Sequence, residues 1–361
     1  MMDKLTVSEW FFNALIWVIF LFLNRYQLYL KSNKGTGFVA FLIIVILFSV
    51  YGFISGDYFH YKELYYNLLL SSENIHLEQF YFWLIKSFPK SYTLWRFIIW
   101  GIAAIVFVLI SRRLKINSRF LSLIFALLLM IYFPNPRNTL AYVVFYWGIT
   151  FFFFKWRNAF VSFLLGLIFV LCSYYLHKSM FVYIGLFIIV LLIRWNKWIY
   201  IGSLILFPFL YKSLSSLAEY FLIYSFANEE SLESGIRYLE SDFYQIANLN
   251  GLIQLALNRI PVIVLMIYSI YYIYFRNHNV ESIFRLFLNY TYVLMYISFL
   301  FYGQQVSAFL SPRFWDASMY TATLFLSYYL YMQNRTFLIK GALCILVLAN
   351  VYNLAYILYK L

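Results

Sequence analysis

Three short stretches of this chain carry cations in an awkward place. They read Phe133-Pro134-Asn135-Pro136-Arg137-Asn138, Leu176-His177-Lys178-Ser179 and Ser311-Pro312-Arg313-Phe314-Trp315-Asp316. Each sits where an apolar, helix-length run begins. A proline just before the arginine suits the first turn of a helix. A helix start already carries roughly +0.5 of a charge, so a cation there has the wrong sign. One such case is ordinary snorkelling of a long side chain at a membrane interface. Three cases ask for an anion. Free N–H groups at a helix start bind phosphate, and the planar fork of arginine fits its oxygens. Arg137, Arg313 and Lys178 are therefore candidate ligands for a phosphate or diphosphate. Pairing with Asp316, Glu78 or lipid headgroups is the alternative.

Other residues could move a proton. His177 lies at a helix junction among apolar neighbours, and imidazole is the common general base near neutral pH. A purely structural histidine is the competing reading. Asp57, Tyr61 and Tyr65 are spaced i, i+4, i+8 and share a face if that stretch is helical. Glu78 follows in Leu77-Glu78-Gln79-Phe80. A carboxylate held against apolar surface is the kind of group whose pKa burial raises. Asp57 and Glu78 are thus candidate bases beside His177, or plain solvated loop charges. No glycine-rich phosphate loop is present, and no His or Cys pair has metal-ligand spacing. Asp57 and Glu78 are not adjacent, as a Mg²⁺-holding pair would be. The expectation is a metal-free site with no cofactor.

The elements that position these residues are membrane helices. Of 361 residues, 64% are hydrophobic and only 11% charged. A soluble domain runs about 45–50% apolar and about 25% charged. Aromatic residues make up 24%, and Tyr and Trp favour the membrane interface. Cys172 and Cys344 lie in apolar runs and read as small buried hydrophobes, not as a disulfide or metal framework. A membrane-spanning helix needs about 20 mostly apolar residues. Twelve candidate spans fall near 9–24, 37–54, 92–111, 118–133, 138–154, 158–176, 179–195, 197–213, 252–275, 283–302, 314–332 and 337–358. The runs are continuous rather than alternating, which argues against a β-barrel. The expected fold is all-α: one polytopic membrane bundle of about twelve helices, residues 1–361, with two longer loops near 55–91 and 214–251.

Charge gives the orientation. The connections after odd-numbered spans hold 15 basic residues, Arg112, Arg113 and Arg194 among them, against the single acid Glu281. The positive-inside rule puts that face in the cytoplasm. Both long loops and the three cationic stretches then face outward. The net charge of +13 is mostly topology and gives no case for nucleic-acid binding. In the second long loop, Leu232, Ile236, Leu239, Phe243 and Ile246 form a helical apolar stripe, with Glu233, Arg237 and Glu240 off it. A helix on the outer membrane surface is expected there, with Arg237 as a further diphosphate-binding candidate. A plain amphipathic cover on the bundle is the alternative.

Taken in order, these features resemble a known family. Gly56-Asp57-Tyr58-x-x-Tyr61, Glu78-x-Phe80, Asn135-Pro136-Arg137-x-x-Leu140-Ala141, Leu176-His177-x-Ser179 and Pro312-Arg313-Phe314 resemble the EpsG-type branch of the Wzy-type bacterial surface-polysaccharide polymerases. Asn138 departs from the Gln expected after the arginine. The resemblance spans nearly the whole chain in hydropathy and motif order. It implies a multi-pass protein of the bacterial plasma (inner) membrane with its active site outside. It implies as substrate an oligosaccharide repeat unit on polyprenyl diphosphate, with a chain-length regulator as a partner. Tyrosines such as Tyr61 and Tyr65 would stack on sugar rings.

Three rival functions carry different expectations. A flippase for the same lipid-linked unit should show repeated halves and mid-membrane charges. A membrane acyltransferase using His177 would need cytosolic access to its acyl donor. A glycosyltransferase using a polyprenyl-phosphate sugar would place acids close together in the first external loop.

Overall fold

Long apolar runs leave the backbone one economical choice in hydrocarbon, because only a helix satisfies its own N–H and C=O groups within the segment. The computed structural model describes residues 65–66, 92–116, 121, 124–125, 128, 136–154, 158–225, 249–302, 310–332, 341–342 and 344–349, and every regular element among them is helical. In chain order these are α1 (Tyr92–Arg113), α2 (Pro136–Phe153), α3 (Ala159–Leu176), α4 (Met180–Leu192), α5 (Lys197–Ser225), α6 (Leu249–Ile270), a π-helical turn (Tyr271–Phe275), α7 (Ser282–Leu300) and α8 (Leu310–Met332). Among the described residues, the segments 159–176, 257–275 and 282–300 are long and apolar enough to cross a membrane. Asn138–Phe153 and Met180–Leu192 are shorter apolar helices. The expected spans 9–24 and 37–54 lie outside the described residues, as does the stripe from Leu232 to Ile246.

Most of the remaining boundaries fall within a few residues of the expected ones. The exception is α5, which runs on to Ser225 instead of ending near 213. Lys212, Ser213 and Ser215 interrupt the apolar run but do not break a helix, and the second long connection is shorter as a result.

The chain forms two compact units, whose boundary falls inside α4 and again inside α8. The first unit contains α1, α2, α3 and the start of α4. Within it, α2 packs against both α1 and α3. The α2–α3 crossing is built on two glycines. A Cβ on Gly148 would lie 2.9 Å from the Gly166 carbonyl oxygen, and one on Gly166 would lie 2.8 Å from the Phe152 ring. Small residues at a crossing let membrane helices approach closely. Around them Phe151 stacks on Phe169 at 5.7 Å and Phe152 meets Phe163 at 5.7 Å. Gly148→Leu should therefore force the pair apart and destabilise the unit by about 1–3 kcal/mol or more, the usual range for overpacking. Thermal unfolding in detergent measures it, and an unchanged midpoint would mean that the crossing is loose.

The burial pattern of α3 is reversed relative to a soluble helix. Its buried positions are Ser162, Gly166, Ser173 and Leu176. Its large apolar side chains point outward, with Phe160 70% and Tyr175 71% exposed. In water that arrangement would be an aggregation surface. In a bilayer the small residues serve packing and the large ones meet lipid. Cys172 and Cys344 are exposed and unbonded, which corrects their assignment as buried residues. The same inversion explains Cys172, since a hydrophobe on α3 gains an apolar environment by facing lipid.

At the end of α1, Arg113 lies over the Phe151 ring at 4.1 Å and donates to the carbonyl of Phe154. A cation closing the C-terminal end of α2 has the favourable sign.

The second unit contains the rest of α4, α5, α6, the π-turn, α7 and most of α8. Its most demanding polar group is Asn289, which is buried in α7. The Asn289 Oδ1 accepts hydrogen bonds from Tyr200 at 2.5 Å and from Tyr274 at 2.8 Å. Tyr296 donates to the Ser203 carbonyl at 2.6 Å. These bonds tie α5 and the π-turn to α7.

Candidate functional site

In the first unit, α2 starts at Pro136, which makes Arg137 its second residue. Proline is at home there because the N–H it lacks would have no helical partner. His177 caps the C-terminal end of α3 in an extended conformation, φ −157° and ψ 114°. Its N–H donates to the Ser173 carbonyl at 3.0 Å, and its own carbonyl accepts from the Met180 N–H at 2.9 Å. The Lys178 and Ser179 carbonyls accept from Phe181 and Val182, both at 3.1 Å, closing the first turn of α4. His177 is half-buried and Lys178 exposed.

These two helix starts share one end of the unit. Gly148 of α2 faces Gly166 of the antiparallel α3. Ten residues further toward the start of α2, and ten toward the end of α3, bring position 138 level with 176. The Tyr142 and Tyr183 rings also meet at 5.3 Å. Tyr142 lies five residues past Arg137, and Tyr183 five past Lys178. Arg137, His177 and Lys178 thus belong to the same end of the α2–α3–α4 group.

In the second unit the start of α8 is held from several sides. The Ser298 hydroxyl donates to the Ser311 carbonyl at 2.7 Å. Phe301 stacks on Phe314 at 5.9 Å, and Phe299 meets Trp315 edge-on at 5.9 Å. Arg313 stands exposed in this turn, with Pro312 half-buried before it and Trp315 fully buried after it.

A residue that the sequence analysis missed is built into this turn. Arg259 of α6 is 7% exposed. Its guanidinium carbon lies 4.7 Å from the Trp315 ring centre and 5.4 Å from that of Tyr302. Cation–π contact of this kind is strongest where water is excluded. One guanidinium nitrogen is buried without a hydrogen-bond partner. Among the described residues its partners are these two rings, with no carboxylate. A buried cation usually needs pairing. The available signal was a lone arginine well inside an apolar run, itself a marker of function in membrane helices.

Asp57, Tyr61, Glu78 and Arg237 lie outside the described residues, as does the side chain of Arg137. Tyr65 is 1% exposed and packs against Tyr92 at 5.5 Å and Trp95 at 6.0 Å. It is packed here as a core aromatic against α1. Its ring face is already used by neighbours on α1.

No family model, curated protein or solved structure matches this chain.

Proposed function

We propose that this protein is a polysaccharide polymerase. It joins oligosaccharide repeat units carried on polyprenyl diphosphate, at the outer face of the bacterial plasma membrane, within a polytopic bundle of about twelve helices. The observation that carries the reading is the opening of α8, where Arg313 is exposed and Arg259 rests on Trp315 without a carboxylate among the described residues. Cations gathered in an apolar setting suit a leaving group with several negative charges.

The chemistry then divides simply. The acceptor sugar hydroxyl attacks the anomeric carbon of the donor glycan. A new C–O bond forms as the bond to diphosphate breaks, with inversion. The hydroxyl proton passes to a base, for which His177, Asp57 and Glu78 are the candidates. Diphosphate departs with its electron pair and needs no general acid, because Arg137, Arg313, Lys178 and Arg237 are the cations available to stabilise it. No metal or cofactor enters the scheme. Tyr61 and Tyr65 remain the candidates for sugar stacking, and a chain-length regulator the candidate partner.

The test is mass spectrometry of lipid-linked oligosaccharide and surface glycan from cells lacking this protein. Single complete repeats on the outer leaflet, with no long chains, are expected. Repeats trapped on the inner leaflet would instead assign a flippase, and incomplete repeats a single-sugar transferase.

A further inference from the structure

The second unit holds a cavity of 490 Å³ between α5, α6, the π-turn and α7. This lies in the range of roughly 300–1,000 Å³ typical of ligand pockets. Its walls are almost wholly apolar, formed by residues such as Leu204, Ile263, Ile267, Met295 and Phe299. It is a groove rather than a closed hole, since Leu204 is 66% and Ile267 62% exposed along its lips. In a bilayer such lips open sideways into lipid.

The groove has a charged head. Arg259 precedes the lining residues Ile263, Met266, Ile267 and Ile270 at i+4, i+7, i+8 and i+11, so it crowns the same face of α6. Phe299 lines the groove and also meets Trp315, on which the Arg259 guanidinium rests. From Arg259 to Ile270 the helix advances about 16 Å. One leaflet of hydrocarbon is about 15 Å deep, half of a core of about 30 Å.

We infer that this groove binds one long hydrocarbon chain of an anionic lipid, whose phosphate or diphosphate is held by Arg259. The shape fits a single chain, and Arg259, a buried cation with no carboxylate among the described residues, sits where that chain must end in a charge. Arg259 thereby gains the hydrogen-bond acceptor that its buried nitrogen lacks. Identifying the lipid with the polyprenyl carrier rests on the function proposed above; the site itself rests on the geometry.

The experiment uses the full chain in nanodiscs and three probes: a long-chain polyprenyl monophosphate, the uncharged polyprenol and phosphatidylglycerol. Wild-type protein should hold the monophosphate at least ten-fold more tightly than the alcohol. Arg259→Gln should erase that difference and leave alcohol binding unchanged. Leu204→Trp, on the exposed lip, should weaken both polyprenyl ligands alike while the thermal midpoint stays near wild type. Folded Arg259→Gln protein with undiminished phosphate preference would overturn the inference. So would a dimer that Leu204→Trp dissociates, which would make the groove a contact between copies; phosphatidylglycerol competing equally well would support the anionic-lipid site and overturn only its assignment to the polyprenyl carrier. The assay needs no polymerisation. Binding by a chain that makes no polymer would remove the proposed function alone, and polymer made by cells in which neither variant alters binding would remove this inference alone.

Discussion

Arg313→Ala should abolish long-chain glycan while leaving the protein folded. Loss of one group aimed at developing transition-state charge costs about 10²–10³ in rate, or about 2.7–4 kcal/mol. Arg313 is exposed in the first turn of α8, where a cation opposes the helix dipole. Falling activity in protein that still unfolds cooperatively is the signature of a residue kept for function. Arg137→Ala should behave alike, because Arg137 is the second residue of α2. Arg313→Lys should recover part of the activity, since lysine supplies charge without the planar fork. Polymer length on gels and the thermal midpoint are the two measurements. Full-length polymer from both alanine variants would end the diphosphate assignment.

His177→Ala should cost about 10²–10⁴ in polymerisation rate, the range for removing a general base. The junction that holds it should survive. The backbone at 177 is held through the Ser173 carbonyl and the Met180 N–H, and these two bonds do not depend on the imidazole. A fall in rate without a fall in stability therefore separates chemistry from structure. His177→Gln keeps a polar side chain of similar reach but cannot titrate, and the acid limb of the pH–rate profile should vanish with it. If both variants polymerise normally, the base is a carboxylate, and Asp57→Asn and Glu78→Gln become the decisive pair.

Much of this architecture is legible in the sequence because hydrocarbon imposes one rule. An uninterrupted apolar run must be helical, and α1, α2, α3 and α7 begin and end within a few residues of where their runs do. The cationic helix starts were equally visible, since Pro136 and Pro312 mark first turns. Three features were not. The extension of α5 was hidden because lysine and serine end a hydrophobic run without ending a helix. Arg259 was hidden because its environment is made by Tyr302 and Trp315, residues 43 and 56 positions away. Local spacing cannot report so distant a partner. The π-turn at 271–275 was hidden because nothing in Tyr-Tyr-Ile-Tyr-Phe departs from an ordinary helix. Its hydrogen-bonding shift becomes intelligible only once Tyr274 is seen reaching Asn289.

The hydroxyl groups and the buried carboxamide of Asn289 imply an order of assembly. Ser111, Thr150, Ser173, Ser269, Thr291 and Thr323 each donate to a carbonyl three or four residues back in their own helix. A helix carrying only such groups arrives in the membrane already satisfied and can wait there alone. Asn289 cannot, because its acceptor oxygen is served by α5 and by the π-turn. Both partners are synthesised earlier than α7. When that helix leaves the ribosome and enters the bilayer, the two tyrosines that will receive it are already in place. Insertion machinery working from the N-terminus forward thus never has to hold α7 with its amide stranded in lipid.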